Sequence, residues 1–173
     1  FQIPFGVGQA ATIRVGYFYG ARDKEGMGRA GWAAILIGTG FMVISCSAMV
    51  LMPRTLLHIY IDPDAAKNAV LVGFALRYLV IAAAFQLVDG LQAVAAGALR
   101  GLQDTRIPMW IAIFSYWVPG IGVALYLGFV ADWGGTGVWV GLATGLAAAA
   151  LLLIWRWLLR DQIGLTERLQ RPD

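Results

Sequence analysis

Five apolar stretches of about 20 residues recur along this chain of 173 residues, and they constrain its fold more than any other feature of the sequence. A helix of about 20 residues crosses the roughly 30 Å hydrocarbon layer of a bilayer. Backbone groups find no water in that layer, so each stretch is expected to be helical. We therefore predict an all-α polytopic membrane protein with five transmembrane helices. The stretches are about 1–19, 31–52, 78–99, 107–130 and 135–155.

The composition argues against a soluble domain, and the lack of catalytic motifs argues against an enzyme. The chain is 60% hydrophobic and only 13% charged, whereas roughly a quarter of the residues are charged in an average soluble domain. The single cysteine, Cys46, cannot form a disulfide within the chain. The sequence offers no Ser/His/Asp set, no phosphate-binding loop and no paired carboxylates at reacting distance. We therefore expect no catalytic residues and no enzymatic activity.

Basic residues alternate between the two sides of the predicted membrane. The loop after the first stretch, the loop after the third and the tail 156–173 together hold nine of the 13 Lys and Arg residues. The positive-inside rule places these segments in the cytoplasm and, with five spans, the N-terminus outside. The basic residues are spread over several loops, so no nucleic-acid partner is expected. Because the chain begins with Phe1 in an apolar stretch, we expect it to be the back part of a longer protein.

Asp89 is the only residue of the third stretch that can carry a formal charge, and it lies near the middle. A charged aspartate at the centre of a transmembrane helix costs roughly 2.5–3.5 kcal/mol on insertion scales. Gln86, Asp89 and Gln92 are spaced by three, which places them within an arc of roughly 120° on a helix. We predict that this polar stripe faces a bundle interior or a wet cavity. The alternative is a packing role for a protonated, hydrogen-bonded Asp89.

Such a stripe could couple the protein to an ion in two ways. Asp89 could bind and release a proton, or, when ionised, it could hold a hard cation such as Na⁺ with the amide oxygens of Gln86 or Gln92. Either occupant would favour one conformation over another. Phe85, Tyr116 and Trp117 are candidates for the lining of a neighbouring cavity. Trp117 could alternatively fill the kink expected beside a proline.

Two further features concern packing. Glycines at every fourth position predict close helix–helix contacts, with a hinge function as the alternative. The connection after the third stretch is expected to be ordered by four residues, Arg100, Asp104, Thr105 and Arg106. Within it, Asp104 and Arg106 are expected to pair locally. The glycine series are Gly16 and Gly20, Gly97 and Gly101, and Gly137, Gly141 and Gly145.

Four motifs carry a family resemblance. They are PFGVGQAATIRVGYFYGARD from Pro4, FQLVDGLQAVAAGALRGLQDTRIPM from Phe85, IFSYWVPGIG from Ile113 and GGTGVWVGLATG from Gly134. In this order they resemble the C-terminal half of the multidrug and toxic compound extrusion (MATE) transporters, and ALRG-x-x-DTR-x-P is the most specific element. The resemblance implies that residues 1–173 form a partial C-terminal lobe, helices eight to twelve of a twelve-helix, two-lobe fold.

The resemblance also implies a function. MATE transporters are cation-coupled antiporters, driven by Na⁺ or H⁺, that export organic compounds, here expected to be cationic, by alternating access. Several members carry a coupling acid in the tenth helix, and Asp89 matches it; where some have a tyrosine one turn earlier, this chain has Phe85. No cofactor is implied beyond the coupling ion. The implied partners are amphipathic small molecules, the bilayer and the missing N-terminal lobe, in a multi-pass protein of a bacterial cytoplasmic membrane.

Two other functions stay open from the residues alone. One is a lipid-linked oligosaccharide flippase of the same superfamily, which would be expected to line its cavity with cationic side chains rather than an acid. The other is a small channel or scaffold subunit that assembles through its glycine seams, with a native product near 18.7 kDa.

Overall fold

The structure, a computed structural model, describes residues 1–167, in which there is no β-strand. The predicted all-α fold is therefore confirmed. The helices are α1 Gln2–Gly20, α2 Lys24–Leu51, α3 Pro53–Leu57, a 3₁₀ turn at Ala66–Asn68, α4 Ala69–Gly101, α5 Arg106–Ser115, a π-helical segment Tyr116–Ile121, α6 Gly122–Leu125, a second π-helical segment Tyr126–Val130, and α7 Gly134–Leu158.

Four helical segments among residues 1–167 are long and apolar enough to cross a membrane. They are α2, α4, the continuous segment Arg106–Val130 and α7. Helix α1 has 19 residues but contains Arg14, Gln2 and Gln9, and it is not one of the four. The predicted count of five spans is therefore approximate.

Several helices run beyond the apolar stretches read from the sequence. Helix α2 begins at Lys24 rather than near residue 31, because Asp23 caps it: the Asp23 carboxylate accepts a hydrogen bond from the Gly26 amide at 2.8 Å. Helix α7 continues to Leu158, so Arg156 belongs to the helix and not to the expected tail. Residues 168–173 of that tail lie outside the described residues. Apolarity marks the part of a helix that lies in lipid, not its full length.

Helices α1 and α4 run in the same direction and touch along their backbones. The Thr12 hydroxyl lies 3.0 Å from the Gly8 carbonyl oxygen and 2.9 Å from that of Gly97. A Cβ on Gly97 would overlap the Gly8 carbonyl, so only glycine permits this approach. The predicted glycine packing is thus confirmed at Gly97. It is wrong at Gly20, around which there is open space.

Small residues also join α7 to the segment Arg106–Val130. The two run antiparallel, and a Cβ on Gly141 would overlap the backbone of Ala124. Pro119 lies in the first π-helical segment; proline lacks an amide hydrogen and displaces the carbonyl one turn earlier, and π-turns absorb such an interruption. The facing pairs are Gly120 with Gly145, Ala124 with Gly141, and Gly128 with Gly137 or Val138.

The cluster of buried apolar residues extends to the end of the bundle that carries the turns α1–α2 and α4–α5 and the C-terminus of α7. Trp157 of α7 is fully buried, and a Cβ on Gly31 of α2 would overlap its ring. The side chain of Lys24 lies 3.2 Å from that of Asp161, which follows α7. Leu99 of α4 belongs to the same buried cluster as Trp157. This end of the bundle, called the basic end below, therefore joins α2, α4 and α7.

Candidate ion-coupling site

Asp89 lies in the middle of α4 and is half-buried. Its carboxylate accepts no hydrogen bond from any group in residues 1–167. A buried or half-buried carboxylate is normally paired or hydrogen-bonded, because desolvation of an unpaired charge is costly. Asp89 is therefore open to a ligand on the α4 surface.

Gln86, one turn before Asp89, is held by α2. Its Nε2 atom donates a hydrogen bond to the Ser45 hydroxyl at 3.1 Å, and the Ser45 hydroxyl oxygen lies 3.3 Å from Gln86 Oε1. Ser45 is not among the site residues that the sequence predicts. The available signal was its place in the polar run Ser45–Cys46–Ser47, inside an apolar stretch.

Gln92, on the other side of Asp89, faces the segment Arg106–Val130. Its Nε2 atom donates a hydrogen bond to the Tyr116 hydroxyl, at the start of the first π-helical segment. Its Oε1 atom is buried and has no hydrogen-bond partner in the described part of the chain. Unsatisfied buried acceptors are uncommon in folded proteins and call for an explanation. Gln92 Oε1 can accept a hydrogen bond from a protonated group or act as a neutral ligand to a hard cation.

The three candidate cavity-lining residues have different surroundings. Phe85 is half-buried and makes an edge-to-face contact with Trp139 of α7, with ring centroids 5.9 Å apart. Tyr116 contacts Gln92 and is partly exposed. Trp117 is 69% exposed and does not join the Gln92–Tyr116 contact. The structure thus brings Gln92 and Tyr116 together, with Phe85 on the α7 side of α4.

Asp104 has a partner that the sequence did not predict. Arg156 Nε of α7 donates to Asp104 Oδ2 at 2.5 Å, and Asp104 is only 8% exposed. The expected local pair with Arg106 is therefore wrong. Arg106 begins α5 and is exposed, whereas the α4–α5 turn presents Asp104 to α7. Because the partners are 52 positions apart, sequence spacing does not reveal the pair.

A second acid at the basic end is held in its charged form. Burial alone would raise the pKa of the Asp161 carboxyl, but the Thr166 hydroxyl at 2.8 Å and the Lys24 ammonium outweigh burial and hold that pKa below its usual value. Asp161 therefore ties the segment after α7 to the first turn of α2.

The sequence profile of one family matches residues 1–126, which is most of the chain, and that family is MatE. The chain belongs to the MatE family. The resemblance to MATE transporters found in the sequence motifs is thereby confirmed. The four long apolar helices and this membership identify a multi-pass membrane protein.

Relatives of this MatE chain include two bacterial proteins. A protein of Mesorhizobium japonicum, named probable multidrug resistance protein NorM, is 47% identical over 164 residues, covering 95% of this chain and 35% of its own length. The multidrug resistance protein NorM of Burkholderia vietnamiensis is 46% identical over 160 residues. The match covers 92% of this chain and 35% of that protein. This chain thus spans about a third of the length of the curated relatives it matches.

The crystal structure of the eukaryotic MATE transporter AtDTX14 is similar to the fold of this MatE chain. The TM-score is 0.80, and the match covers 97% of this chain and 37% of that protein at 22% sequence identity. The match confirms that the helices of this chain are arranged as in a MATE transporter.

Proposed function

We propose that this chain works as part of a longer MatE protein that exports organic, cationic compounds by alternating access in exchange for Na⁺ or H⁺. Asp89 is the coupling residue in this part of the protein, and Gln92 and Gln86 flank it. The NorM relatives are named multidrug resistance proteins, which supports small organic molecules as substrates. The chain length relative to those proteins supports a missing N-terminal lobe.

One observation carries the proposal. Asp89, without a hydrogen bond in the described chain, lies one turn from Gln92, whose buried Oε1 atom also lacks a partner. A carboxylate and a neutral carbonyl oxygen on one face of a helix are the oxygen ligands that hard cations prefer. The same pair can share a proton, with a protonated Asp89 donating to Gln92 Oε1.

The hydrogen bonds of Gln86 and Gln92 connect the occupancy of Asp89 to the positions of two other helices. Gln86 is bonded to Ser45 of α2, while Gln92 is bonded to Tyr116, where the helix changes from α to π. A cation or proton that recruits Gln92 Oε1 acts on the amide that holds Tyr116. Occupancy of Asp89 therefore biases the packing of the Arg106–Val130 segment against α4, and such a bias is what couples an ion to a conformation.

The proposal is tested in everted membrane vesicles that contain the product of the complete gene. Wild type and Asp89→Asn are compared for the movement of a fluorescent cationic dye under separately imposed Na⁺ and pH gradients. The matched control is Asp132→Asn, which removes the charge of an exposed acid at the end of the bundle opposite the basic end. We expect Asp89→Asn to lose gradient-driven transport and to retain dye binding, while the control transports like wild type.

Each result decides a specific point. The gradient that drives wild type identifies the coupling ion. Unchanged gradient-driven transport by Asp89→Asn would remove Asp89 from the coupling site, and absence of dye export by wild type under both gradients would overturn the antiport proposal.

We also propose that the basic end faces the cytoplasm of a bacterial cell. Lys24, Arg100, Arg106 and Arg156 lie at this end, together with most other basic residues of the chain. The positive-inside rule supports this orientation.

A further inference from the structure

A groove runs between α1 and α2 close to the basic end, away from Asp89. Its volume is about 470 Å³. Most of its lining is apolar and comes from small side chains, which leave room between the two helices. The lining includes Val7, Ala10, Phe18, Ala33, Ala34 and Ile37.

Two guanidinium groups lie on the groove. Arg14 of α1 has no carboxylate partner within residues 1–167; its Cζ atom lies 5.6 Å from the centroid of the Phe18 ring. Arg29 of α2 lies 3.6 Å from Glu25, but the side chains of this pair are 73% and 81% exposed, and such exposed pairs are weak. Asp23 also lies beside the groove, where its carboxylate caps α2 by accepting from the Gly26 amide. The groove is therefore apolar inside and positively charged where the arginines lie.

We propose that this groove binds an anionic phospholipid of the surrounding leaflet, with one acyl chain in the apolar part and the phosphate on Arg14 and Arg29. Basic pockets between transmembrane helices on the cytoplasmic side suit anionic head groups, and guanidinium groups hold phosphate with charge-assisted hydrogen bonds. The same charges disfavour an organic cation. The site is separate from the coupling site, and its test does not use transport.

The experiment is native mass spectrometry of the delipidated complete protein, titrated with dioleoyl phosphatidylglycerol or dioleoyl phosphatidylcholine. The two lipids have the same chains and differ in head-group charge. We expect wild type to prefer phosphatidylglycerol at its tightest site. Arg14→Gln should weaken that binding about fivefold, the contribution of one basic residue near an anionic surface, and leave phosphatidylcholine binding unchanged. Arg14→Lys keeps the charge and should retain the preference.

A second pair of variants tests the apolar part. Ala33→Trp fills the groove from α2 and should abolish the tightest binding of phosphatidylglycerol. Ala48→Trp, exposed on the same helix beyond the groove, and Arg106→Gln, exposed at the basic end on α5, are the matched controls and should bind like wild type. The melting temperature of each variant verifies folding.

Wild-type binding by both Arg14→Gln and Ala33→Trp would overturn the proposal, since it would mean that another part of the complete protein fills the groove. Loss of the preference in Arg14→Lys, or equal losses in the controls, would also overturn it.

Discussion

Among residues 1–167, three turns close with a residue other than glycine in the left-handed region of backbone conformation. Arg22, Gln103 and Asp132 have φ values of 58°, 61° and 57°. Each follows the C-cap of a helical segment. In the α4–α5 turn the Asp104 amide donates to the Leu99 carbonyl oxygen at 3.1 Å, as in a Schellman cap. Residues other than glycine are sterically disfavoured in this conformation, because their Cβ atom approaches the following carbonyl oxygen.

Gln103→Gly is therefore expected to stabilise the protein by about 0.5–1 kcal/mol, the steric gain being reduced by the greater freedom of glycine in the unfolded chain. The measurement is the thermal unfolding of the complete protein in detergent. Gln103→Ala removes the same exposed side chain without relieving the backbone and should give no gain. An equal gain in both variants would show that the side chain, not the backbone, is responsible.

The lowered pKa of Asp161 predicts a pH dependence at the basic end. The ordinary pKa of this carboxyl is 3.8. Because the folded state lowers that pKa, the charged carboxylate stabilises the fold fully at pH values above 3.8, and this stabilisation is lost as the pH falls through the folded-state pKa. Asp161→Asn should therefore lower the melting temperature at pH 7, and the difference from wild type should shrink as the pH falls below 3.8. The side chain is 39% exposed, so the effect should stay below about 1 kcal/mol.

The control for Asp161 is Glu25→Gln, which removes an 81% exposed carboxylate at the same end of the bundle. It should change the melting temperature less than Asp161→Asn does at pH 7. A difference between wild type and Asp161→Asn that grows below pH 4 would contradict the assignment.

The contact between helices α1 and α4 depends on glycine at position 97. Gly97→Ala places a methyl group against the Gly8 carbonyl, and overpacking of this kind typically costs about 1–3 kcal/mol. Gly73→Ala on the same helix meets open space and should be neutral or stabilise the helix by up to about 1 kcal/mol. Thermal unfolding of the two variants compares them directly. Equal effects would mean that α1 and α4 are not in close contact in the complete protein.

The elements differ in how far the sequence predicts them. Apolarity identified the four long spans, and the stripe of Gln86, Asp89 and Gln92 follows from helical spacing alone. The early start of α2 also has a local signal, since Asp23 is a favourable N-cap. The partners of the stripe on α2 and at Tyr116 depend on which helices are neighbours, and no local pattern encodes that. The pair of Asp104 and Arg156 is hidden for the same reason.

For the molecule as a whole, the proposed orientation predicts which loops are reachable from outside. In a cysteine-free background with Cys46 replaced by alanine, Asp64→Cys, between α3 and α4, should react with a membrane-impermeant maleimide in intact cells. Glu25→Cys, at the basic end, should react only in everted vesicles. Both side chains are exposed, at 68% and 81%, so access depends on sidedness. The reverse labelling pattern would invert the orientation.

The first π-helical segment affects where the transmembrane segment Arg106–Val130 can lose one residue. The buried residues Ser115, Gly120, Ala124 and Gly128 of the Arg106–Val130 segment are spaced by five, four and four positions. A π-turn holds one residue more than an α-turn, so an in-frame loss of one codon between Ser115 and Gly120 would leave an α-turn with both halves still facing α7. Elsewhere in a span, the same deletion rotates the rest of the helix by about 100°. Loss of a single residue is therefore best tolerated between Ser115 and Gly120.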